Sequence, residues 1–492
     1  MKHKNLMVYG TGSDVGKSII TAGLCRILKQ DKIKVCPFKS QNMALNSFIT
    51  KDGKEMGRAQ VVQAEASGLE PEVYMNPILL KPSTDKKSQV IVHGKVLKNM
   101  NASEYFNNRE VMKSEVMKSY NFIKEHFDVS ILEGAGSPAE INLKKNDLVN
   151  TGMAEMADAP AVLVANIDKG GMFASIYGTL MLLEEDERTR IKGVIVNKFR
   201  GDIKLLEPGL RMIEEKINIP VLGVIPYLEL GIEEEDGFGN RHLTKNTQGK
   251  IDIAVVATKR ISNFTDMNVL DKYKDVTVRY IKEAYEIKDA DVIILPGSKN
   301  TIEDMLDLQK KGIAEAVIEE AKKGTVIFGI CGGFQMLGER IHDPDAIESA
   351  VEEISGLGLL NVNTIMLKEK TTRQYEGYLN FDKGLLKGTK NCFVKGYEIH
   401  QGITYETLLE EKDSLISAIN NNVLGTYIHG IFDNNEFTNS FLNVIRKKKG
   451  INTVNETFEY EAYKQNEYDK LANVMRVNLD MKAIYKIIGI EK

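Results

Sequence analysis

The sequence predicts an α/β protein with two consecutive α/β domains. Three observations support this prediction: short apolar runs without alternation recur along the chain, a helical pattern follows most of them, and one long polar stretch interrupts the series. Unalternating apolar strands separated by helices are typical of parallel sheets that are covered on both faces. With 492 residues, the chain is long enough for two or three domains with complete cores.

The first series of predicted strands lies in the N-terminal half. Its segments are NLMVYG (5–10), VSILEGAG (129–136), AVLVANID (161–168), GVIVNKF (193–199) and VLGVIP (221–226). The stretch 231–250 is polar and contains glycines without a helical stripe, so we interpret it as a linker. We place the domain boundary near residue 245, which gives domains at 1–245 and 246–492.

The same pattern restarts after the linker. Its predicted strands are IDIAVVAT (251–258), VTVRYI (276–281), DVIILPGS (291–298) and GTVIFGIC (324–331). The last fifty residues are charged and mostly helical in pattern, and we expect them to pack on the second domain.

Composition and charge argue against several classes of protein. A net charge of −4 disfavours a dedicated nucleic-acid binder, since such proteins usually carry a basic surplus. The start MKHKNLMVYG is too weakly apolar for a signal peptide and no run approaches membrane-spanning length, so we expect a cytoplasmic protein without a membrane partner. The four cysteines lack CxxC spacing, which is typical of a reducing compartment and indicates no disulfide framework or zinc site. The oligomeric state stays open.

A glycine-containing loop, GTGSDVGKS (10–18), follows the first predicted strand. The helix after it has one apolar face, formed at the helical period by Ile20, Leu24, Ile27 and Leu28. This context predicts a phosphate cradle, in which backbone N–H groups and the helix N-terminus attract phosphate oxygens. The loop residues that we expect to bind the nucleotide are Thr11, which stands where the strict pattern has glycine, Gly12, Asp14, Gly16, Lys17 and Ser18. Lys17 would reach the β- and γ-phosphates, and the Ser18 hydroxyl would bind Mg²⁺.

A nucleotide with bound Mg²⁺ also needs a carboxylate at the end of a neighbouring strand. Glu133 in ILEGAG has such a position, and Asp14 and Asp168 are further candidates for the metal. Asn197, at the end of VIVNK, is a candidate for contacting the adenine edge. Residues of these types also occur at strand ends simply as turn formers, and that interpretation stays open.

Cys331 lies between an apolar strand and a helix predicted from Phe334, Leu337 and Ile341. A nucleophile on such a strand-to-helix turn is exposed at the sheet edge, near a helix N-terminus. The surrounding glycines, at 329, 332 and 333, permit the backbone angles that this turn requires. We expect the N–H groups of Gly332 and Gly297 to form an oxyanion hole.

His429, in LGTYIHGIFD, follows a short apolar strand and precedes a glycine. A thiol and an imidazole together form a site for covalent acyl transfer, with Cys331 as nucleophile and His429 as general base. A lone cysteine is more often a small core residue, and that interpretation holds for Cys25, Cys36 and Cys392. His400 either shapes the site or satisfies a loop carbonyl.

These motifs resemble known families. GTGSDVGKS resembles the phosphate loop of dethiobiotin synthetases, and GICGGFQMLG with YIHGIFD resembles class I glutamine amidotransferases of the branch without a full triad. The cobyric acid synthase family of cobalamin biosynthesis carries both in this order. Its resemblance extends to FKSQNMALNS (38–47), EGAGSPAEINL (133–143), DKGGMFAS (168–175), LPGSKNT (295–301) and YEIHQG (397–402). The resemblance implies a P-loop parallel-sheet domain followed by a flavodoxin-like amidotransferase domain.

The resemblance also implies a glutamine-dependent amide ligase acting on a small corrinoid. ATP would activate the b, d, e and g carboxylates of adenosylcobyrinic acid a,c-diamide as acyl phosphates, and ammonia from glutamine would amidate them. The implied cofactors are ATP and Mg²⁺, with glutamine as nitrogen donor and no tightly bound prosthetic group. The substrate candidates Lys39, Gln41 and Asn42 either meet corrin carboxylates or belong to a solvated loop.

One departure from the amidotransferase pattern concerns the catalytic triad, and two alternative functions stay open. Amidotransferases with a full triad carry Glu two residues after the histidine, where this chain has Ile431, and Glu398 or Asp433 are possible substitutes. A cobyrinic acid a,c-diamide synthase would add amides to two earlier carboxylates of the same ring. A P-loop regulatory ATPase with a metabolite-sensing second domain would release no glutamate from glutamine.

Overall fold

The computed structural model describes residues 3–82, 87–145, 147–232, 249–379, 383–387, 391–407, 413–454 and 458–491. The chain forms two compact units that alternate along the sequence: residues 1–44, 56–236 and 461–492 make the first, and residues 45–55 and 237–460 make the second. The expected boundary near residue 245 and most of the polar stretch 231–250 lie outside the described residues.

The described strands and helices are numbered along the chain. The strands are β1 (Lys4–Gly10), β2 (Val35–Phe38), β3 (Gln41–Met43), β4 (Ser47–Ile49), β5 (Glu55–Gly57), β6 (Ile78–Pro82), β7 (Lys87–Val92), β8 (Lys95–Asn101), β9 (Val129–Glu133), β10 (Ala161–Asn166), β11 (Ile191–Phe199), β12 (Val221–Pro226), β13 (Ile251–Val256), β14 (Ile261–Ser262), β15 (Val276–Ile281), β16 (Val292–Leu295), β17 (Gly297–Ser298), β18 (Val326–Ile330), β19 (Arg340–His342), β20 (Glu353–Ser355), β21 (Val362–Leu379), β22 (Cys392–Glu406), β23 (Ser417–Asn420) and β24 (Val423–Thr426). The helices are α1 (Lys17–Gln30), α2 (Arg58–Ser67), α3 (Ala102–Asn107), α4 (Arg109–His126), α5 (Thr151–Ala157), α6 (Met172–Leu182), α7 (Glu185–Thr189), α8 (Ile203–Ile217), α9 (Thr301–Lys310), α10 (Ile313–Lys323), α11 (Gly332–Leu337), α12 (Asn435–Lys448), α13 (Tyr460–Asn478) and α14 (Met481–Ile488).

The first unit is built on a parallel sheet with the strand order β12-β11-β10-β1-β9-β2. Five of these strands confirm the five segments predicted in the N-terminal half, whereas the edge strand β2 was not predicted. The carboxyl ends of parallel strands meet at one edge of a sheet, so the loops after β1 and β9 are neighbours. A smaller sheet, β3-β6-β7-β8, belongs to the same unit.

The C-terminal helices α13 and α14 also belong to the first unit. The expectation that the last fifty residues pack on the second domain is therefore wrong for residues 461–492, whereas the residues before them belong to the second unit. Leu471, Met475 and Ile484 share one core cluster with Ile20 and Leu24 of α1. An apolar helix face buries against whichever apolar surface is available in three dimensions, and its period does not identify that surface.

The second unit contains a sheet with the strand order β15-β13-β16-β18-β24-β23, parallel except for the β23–β24 pair. The four strands predicted after the linker are confirmed as β13, β15, β16 and β18. A second sheet, β20-β19-β21-β22, includes the antiparallel pair β21 and β22. Within the described residues, then, both units are α/β structures of the predicted class.

The helix after Cys331 is shorter than predicted. It ends at Leu337, and Ile341 lies instead in strand β19, where it is buried. Gly338 follows the helix, and a Cβ there would lie 2.6 Å from the carbonyl oxygen of Val362. Gly338 has extended backbone angles, φ −69° and ψ −178°, and the chain continues into β19, so the spacing of Ile341 was misleading. No described helix combines the length and apolar character that crossing a bilayer requires.

Candidate active sites

The phosphate loop connects β1 to α1 in the first unit. Gly16 precedes the helix with φ of 95°, and a Cβ on it would lie 2.2 Å from Nδ2 of Asn197. Only glycine satisfies both conditions without strain. The Asn197 amide donates to the carbonyl oxygen of Val15 at 2.9 Å, so this side chain holds the loop. Its predicted contact with adenine remains a prediction.

Lys17 and Ser18 contact different groups: Lys17 binds main-chain carbonyl oxygens, and Ser18 binds a carboxylate. Nζ of Lys17 donates to the carbonyl oxygens of Gly12 at 2.8 Å and Gly136 at 3.0 Å. These bonds hold the positively charged ammonium group beside the phosphate loop. Oγ of Ser18 donates to Oε1 of Glu133 at 2.8 Å. The structure therefore brings the strand-end carboxylate to the loop serine, as parallel pairing of β1 and β9 requires.

Glu133 is 1% exposed and lies at the centre of a polar cluster. Lys39 forms an ion pair with its Oε1 at 3.0 Å, and the amide of Gln63 donates to its Oε2. A carboxylate buried this deeply needs such partners to offset its desolvation. The Ser18 hydroxyl and the Glu133 carboxylate are the oxygen ligands that Mg²⁺ prefers, so these residues fit that ion.

The other metal candidates do not join this cluster. Asp14 is exposed and its carboxylate lies 3.6 Å from Nζ of Lys169, while Asp168 lies 3.2 Å from Nε of Arg200. Among the described residues, no group of three or more His, Cys, Asp or Glu side chains is arranged to hold a metal. Mg²⁺ at a nucleotide site usually takes one or two protein ligands and completes its shell with water and phosphate.

The three substrate candidates have different environments. Lys39 is buried against Glu133, at the phosphate site. Asn42 is also buried and donates to Oε1 of Gln60 at 2.9 Å. Oε1 of Gln41 accepts a hydrogen bond from the hydroxyl of Tyr105 at 2.5 Å. None of the three is a freely solvated loop residue in the structure.

Cys331 occupies a strained turn in the second unit, and it is only 5% exposed, so the expectation of an exposed nucleophile is wrong. Its φ of 53° and ψ of −109° are unusual for a residue with a side chain, and they direct the chain sharply from β18 into α11. The N–H of Cys331 donates to the carbonyl oxygen of Thr426 at 2.8 Å, and its Sγ lies 3.5 Å from that of Ile399. Strain of this kind persists where the surroundings fix it, and it is typical of nucleophile turns.

The predicted glycines allow the close approaches that this turn needs. A Cβ on Gly333 would lie 1.9 Å from the carbonyl oxygen of Leu295, so only glycine fits there. A Cβ on Gly332 would lie 2.9 Å from the main-chain nitrogen of Ser298, and one on Gly297 would lie 3.3 Å from Cε1 of His429. Both residues predicted for the oxyanion hole thus border the region of the thiol and the imidazole.

His429 is fully buried and is held by a carboxylate that the sequence pattern did not indicate. Its Nδ1 lies 2.7 Å from Oδ2 of Asp266, and Oδ1 of Asp266 accepts the N–H of Gly430 at 2.9 Å. Burial lowers the pKa of His429, but Asp266 and, to a smaller extent, Cys331 raise it to about 10. Nε2 is buried and meets no described residue in full hydrogen-bond geometry, but a side-chain interaction with Cys331 contributes to the raised pKa, so the thiol lies close to the ring.

Glu398, one of the two suggested substitutes for the missing triad carboxylate, has other partners. Glu398 lies 3.3 Å from Nε2 of His400 and also pairs with Arg373. Residue 397, which is bridged to His429, and residue 398 point to opposite faces of β22, because side chains alternate along a strand. Nδ1 of His400 contacts the carbonyl oxygen of Gly402 at 2.9 Å, in agreement with the interpretation that it satisfies a carbonyl.

Sequence reasoning missed Asp266 because it lies 163 positions before His429. It is carried by a single 3-10 turn, Phe264–Met267, in the connection between β13 and β15. Since β13, β16 and β18 are parallel neighbours, connections at their carboxyl ends lie at one edge of the sheet. The signal available in the sequence was an aspartate in the connection that follows β13.

Comparison with known proteins identifies two domains in the chain. Residues 6–236 match the CobQ/CobB/MinD/ParA nucleotide binding domain, and residues 252–437 match the CobB/CobQ-like glutamine amidotransferase domain. The chain is 50% identical to a cobyric acid synthase of Caldanaerobacter subterraneus subsp. tengcongensis, over 98% of both chains. It is 51% identical to one of Lachnoclostridium phytofermentans, over 99% of both chains. A crystal structure of a glutamine amidotransferase matches 40% of this chain and 99% of its own chain. The two proteins are 15% identical with a TM-score of 0.29, and this likeness says nothing about function. With full-length relatives at this identity, the chain belongs to the cobyric acid synthase family.

Proposed function

We propose that the chain is a glutamine-hydrolysing amide ligase that amidates the b, d, e and g side-chain carboxylates of adenosylcobyrinic acid a,c-diamide in cobalamin biosynthesis. The observation that carries the proposal is the presence in one chain of two complementary sites. One has a thiol on a strained turn with an imidazole held by Asp266. The other has a phosphate loop whose serine meets a buried carboxylate. The names of the full-length relatives support the choice of substrate.

The glutaminase site would begin with transfer of the Cys331 thiol proton to Nε2 of His429, because the Asp266 carboxylate favours the protonated ring and raises the pKa of His429 to about 10. The sulfur of Cys331 attacks the carboxamide carbon of glutamine, and His429 donates its proton to the leaving nitrogen, so that ammonia departs and a thioester remains. Water then attacks the thioester while the neutral ring of His429 accepts its proton. Glutamate leaves and the ion pair is restored. His429 is therefore first an acid and then a base.

Donors at Gly332 and Gly297 would stabilise the oxyanion that forms in both steps. Their proposed role rests on their closeness to Ser298 and His429. Backbone donors cost no reorganisation during the reaction, which makes them effective in a buried site.

In the ligase site, a corrin carboxylate would attack the γ-phosphorus of ATP and release ADP. Lys17 and Lys39 place two positive charges near Ser18 and Glu133, where they would offset charge on the phosphates. Mg²⁺ bound by Ser18 and Glu133 would supply further charge neutralisation. Ammonia would then attack the acyl carbon, with loss of phosphate and one proton. Gln41 and Asn42 lie two and three residues after Lys39 and are proposed to contribute to the corrinoid site.

The proposal also places the protein in the cytoplasm, since its four cysteines are free and buried. The alternative cobyrinic acid a,c-diamide synthase differs in the carboxylates that it amidates, and the relatives cited above carry the other name.

Mass spectrometry of the corrinoid tests the proposal. The protein is incubated with adenosylcobyrinic acid a,c-diamide, ATP, Mg²⁺ and glutamine, and we expect four successive amidations together with release of glutamate. A Cys331→Ala variant should lose amidation with glutamine and keep it with ammonium salts. Amidation of cobyrinic acid at only two carboxylates would favour the diamide synthase, and ATP hydrolysis without glutamate release would favour the regulatory ATPase.

A further inference from the structure

The segment 45–55 comes from the sequence of the nucleotide-binding half but belongs to the second unit. It is anchored on β21 by a part-buried hydrogen bond and a buried ion pair. The hydroxyl of Thr372 donates to the carbonyl oxygen of Gly53 at 2.9 Å, and Lys370 pairs with Glu55 at 2.6 Å. Both members of this ion pair are almost fully buried, at 9% and 1% side-chain exposure. An anchor of this kind fixes the segment in place, because breaking it would leave a buried charge.

Ser47, at the start of β4, closes a ring of hydrogen bonds in the second unit. Its N–H donates to Oδ1 of Asn263 at 3.1 Å, and its carbonyl oxygen accepts from the hydroxyl of Tyr397 at 3.2 Å. The amide of Asn263 in turn donates to the Tyr397 hydroxyl at 3.3 Å. All three residues are at most 5% exposed, so each bond is shielded from water.

The ring contains two side chains. Tyr397 contacts His429, and Asn263 lies beside the turn that carries Asp266. Tyr397 stacks on the imidazole of His429, with ring centroids 5.3 Å apart and planes 19° apart. Their main chains exchange two hydrogen bonds, at 2.9 and 3.2 Å. Asn263 immediately precedes the 3-10 turn that carries Asp266, and its φ is 52°.

The neighbouring residues of the segment add an apolar contact to the same tyrosine. The ring of Phe48 lies edge-on to that of Tyr397 with centroids 5.2 Å apart, and Ile49 shares a small core cluster with Tyr397 and Ile399. The carbonyl oxygen of Ile399 lies 3.5 Å from the sulfur of Cys331, within hydrogen-bond distance. The segment thus touches the supports of the imidazole, the carboxylate and the thiol.

We propose that residues 45–55 are a positioning element of the glutaminase site, in which Ser47 ties Tyr397 and Asn263 together and so holds His429 on Asp266. This inference rests on the proposed glutaminase activity of Cys331. It means that the N-terminal half of the sequence supplies part of the site that hydrolyses glutamine. Proton transfer requires the imidazole to be held within about 0.5 Å of its productive position, which explains why a buried ring of hydrogen bonds is useful here.

The test compares glutamine hydrolysis and ammonium-dependent amidation in the full-length protein. Tyr397→Phe keeps the ring on His429 and removes only the hydroxyl that joins Ser47 and Asn263. Loss of these bonds should lower kcat for glutamine hydrolysis about three- to tenfold with little change in KM. Amidation with ammonium salts should be unchanged, because it bypasses this site. Tyr378→Phe is the matched control, since Tyr378 lies on β21 and is 69% exposed.

Two further variants probe Asn263, the second side chain of the ring, and Phe48, the apolar contact of the segment. Asn263→Gly tolerates the positive φ and removes both side-chain bonds, and Phe48→Ala removes the contact from the segment itself. Each should lower kcat in the same way, and Tyr397→Phe combined with Asn263→Gly should cost less than the product of the single effects, since both act through one network.

Two outcomes overturn the inference: wild-type kcat in all three variants, or an equal loss of ammonium-dependent amidation, which would indicate a general structural role. Absence of glutamine hydrolysis in the wild-type protein would instead refute the proposed function. Thermal unfolding of each variant identifies any that fold poorly, and the conservative Tyr397→Phe still decides the question.

Discussion

Nδ1 of His429 lies 2.7 Å from Oδ2 of Asp266, and both residues are buried. The sequence carries isoleucine where a full amidotransferase triad has its carboxylate, yet an aspartate from a distant turn reaches the imidazole. A carboxylate on Nδ1 directs Nε2 towards the reacting atoms and stabilises the protonated ring. The missing triad residue therefore does not leave the imidazole without support.

Asp266→Asn should separate the two activities. The amide removes the charge that supports protonated His429, so glutamine hydrolysis should fall about 100-fold, within the range typical of lost general acid–base catalysis. Ammonium-dependent amidation should stay near the wild-type rate. Asp433→Asn, at the carboxylate suggested from the sequence, is the matched control and should change neither rate. A full rate of glutamine hydrolysis in Asp266→Asn would refute the role of Asp266.

The raised pKa of His429 predicts a dependence of stability on pH. The pKa lies near 10 in the folded protein and near 6.5 for an ordinary histidine. The protonated ring therefore contributes stability in full below about pH 6.5, and that contribution is lost as the pH rises through about 10. The difference in unfolding midpoint between the wild type and His429→Gln should shrink steadily over this interval. A difference that stays constant or grows with pH would contradict the assignment.

Glu133→Gln should impair amidation with both nitrogen donors. It removes the charge that pairs with Lys39 and a ligand for Mg²⁺, and a lost hydrogen bond to a charged group predicts a decrease of about 10- to 100-fold. Glutamine hydrolysis measured without corrinoid should persist. Asp14→Asn discriminates between the two metal candidates: a loss as large as that of Glu133→Gln would show that Asp14, not Glu133 alone, holds the ion.

Leu471→Ala tests the packing of the C-terminal helices. Leu471 is 1% exposed in the core that also contains α1, so its truncation should lower the free energy of unfolding by about 2–4 kcal/mol. Val477→Ala on the same helix is the control, because Val477 is 85% exposed and should change stability little. Denaturant titration measures both. Equal stabilities of the two variants would mean that α13 does not belong to this core.

Short apolar strands were predictable because the sheets are parallel and buried, which removes polar alternation from their sequences. The phosphate loop and the turn at Cys331 were also predictable, because both depend on glycines that are close to them in sequence. Glu133 was found because parallel neighbours end at one edge of a sheet. Ile341 was misassigned because the chain leaves the helix after Leu337 and enters β19, which the apolar spacing does not reveal.

The sequence by itself determined the fold class, and it predicted two glycine-bordered loops with the candidate residues Cys331, His429, Lys17 and Ser18, because local backbone geometry and nearby glycines mark each of them. Only the tertiary structure decided that Asp266 supports the imidazole, that residues 45–55 join the second unit and that the last helices join the first. These contacts connect residues far apart in the chain through burial and hydrogen bonding, and such pairings have no fixed spacing in sequence.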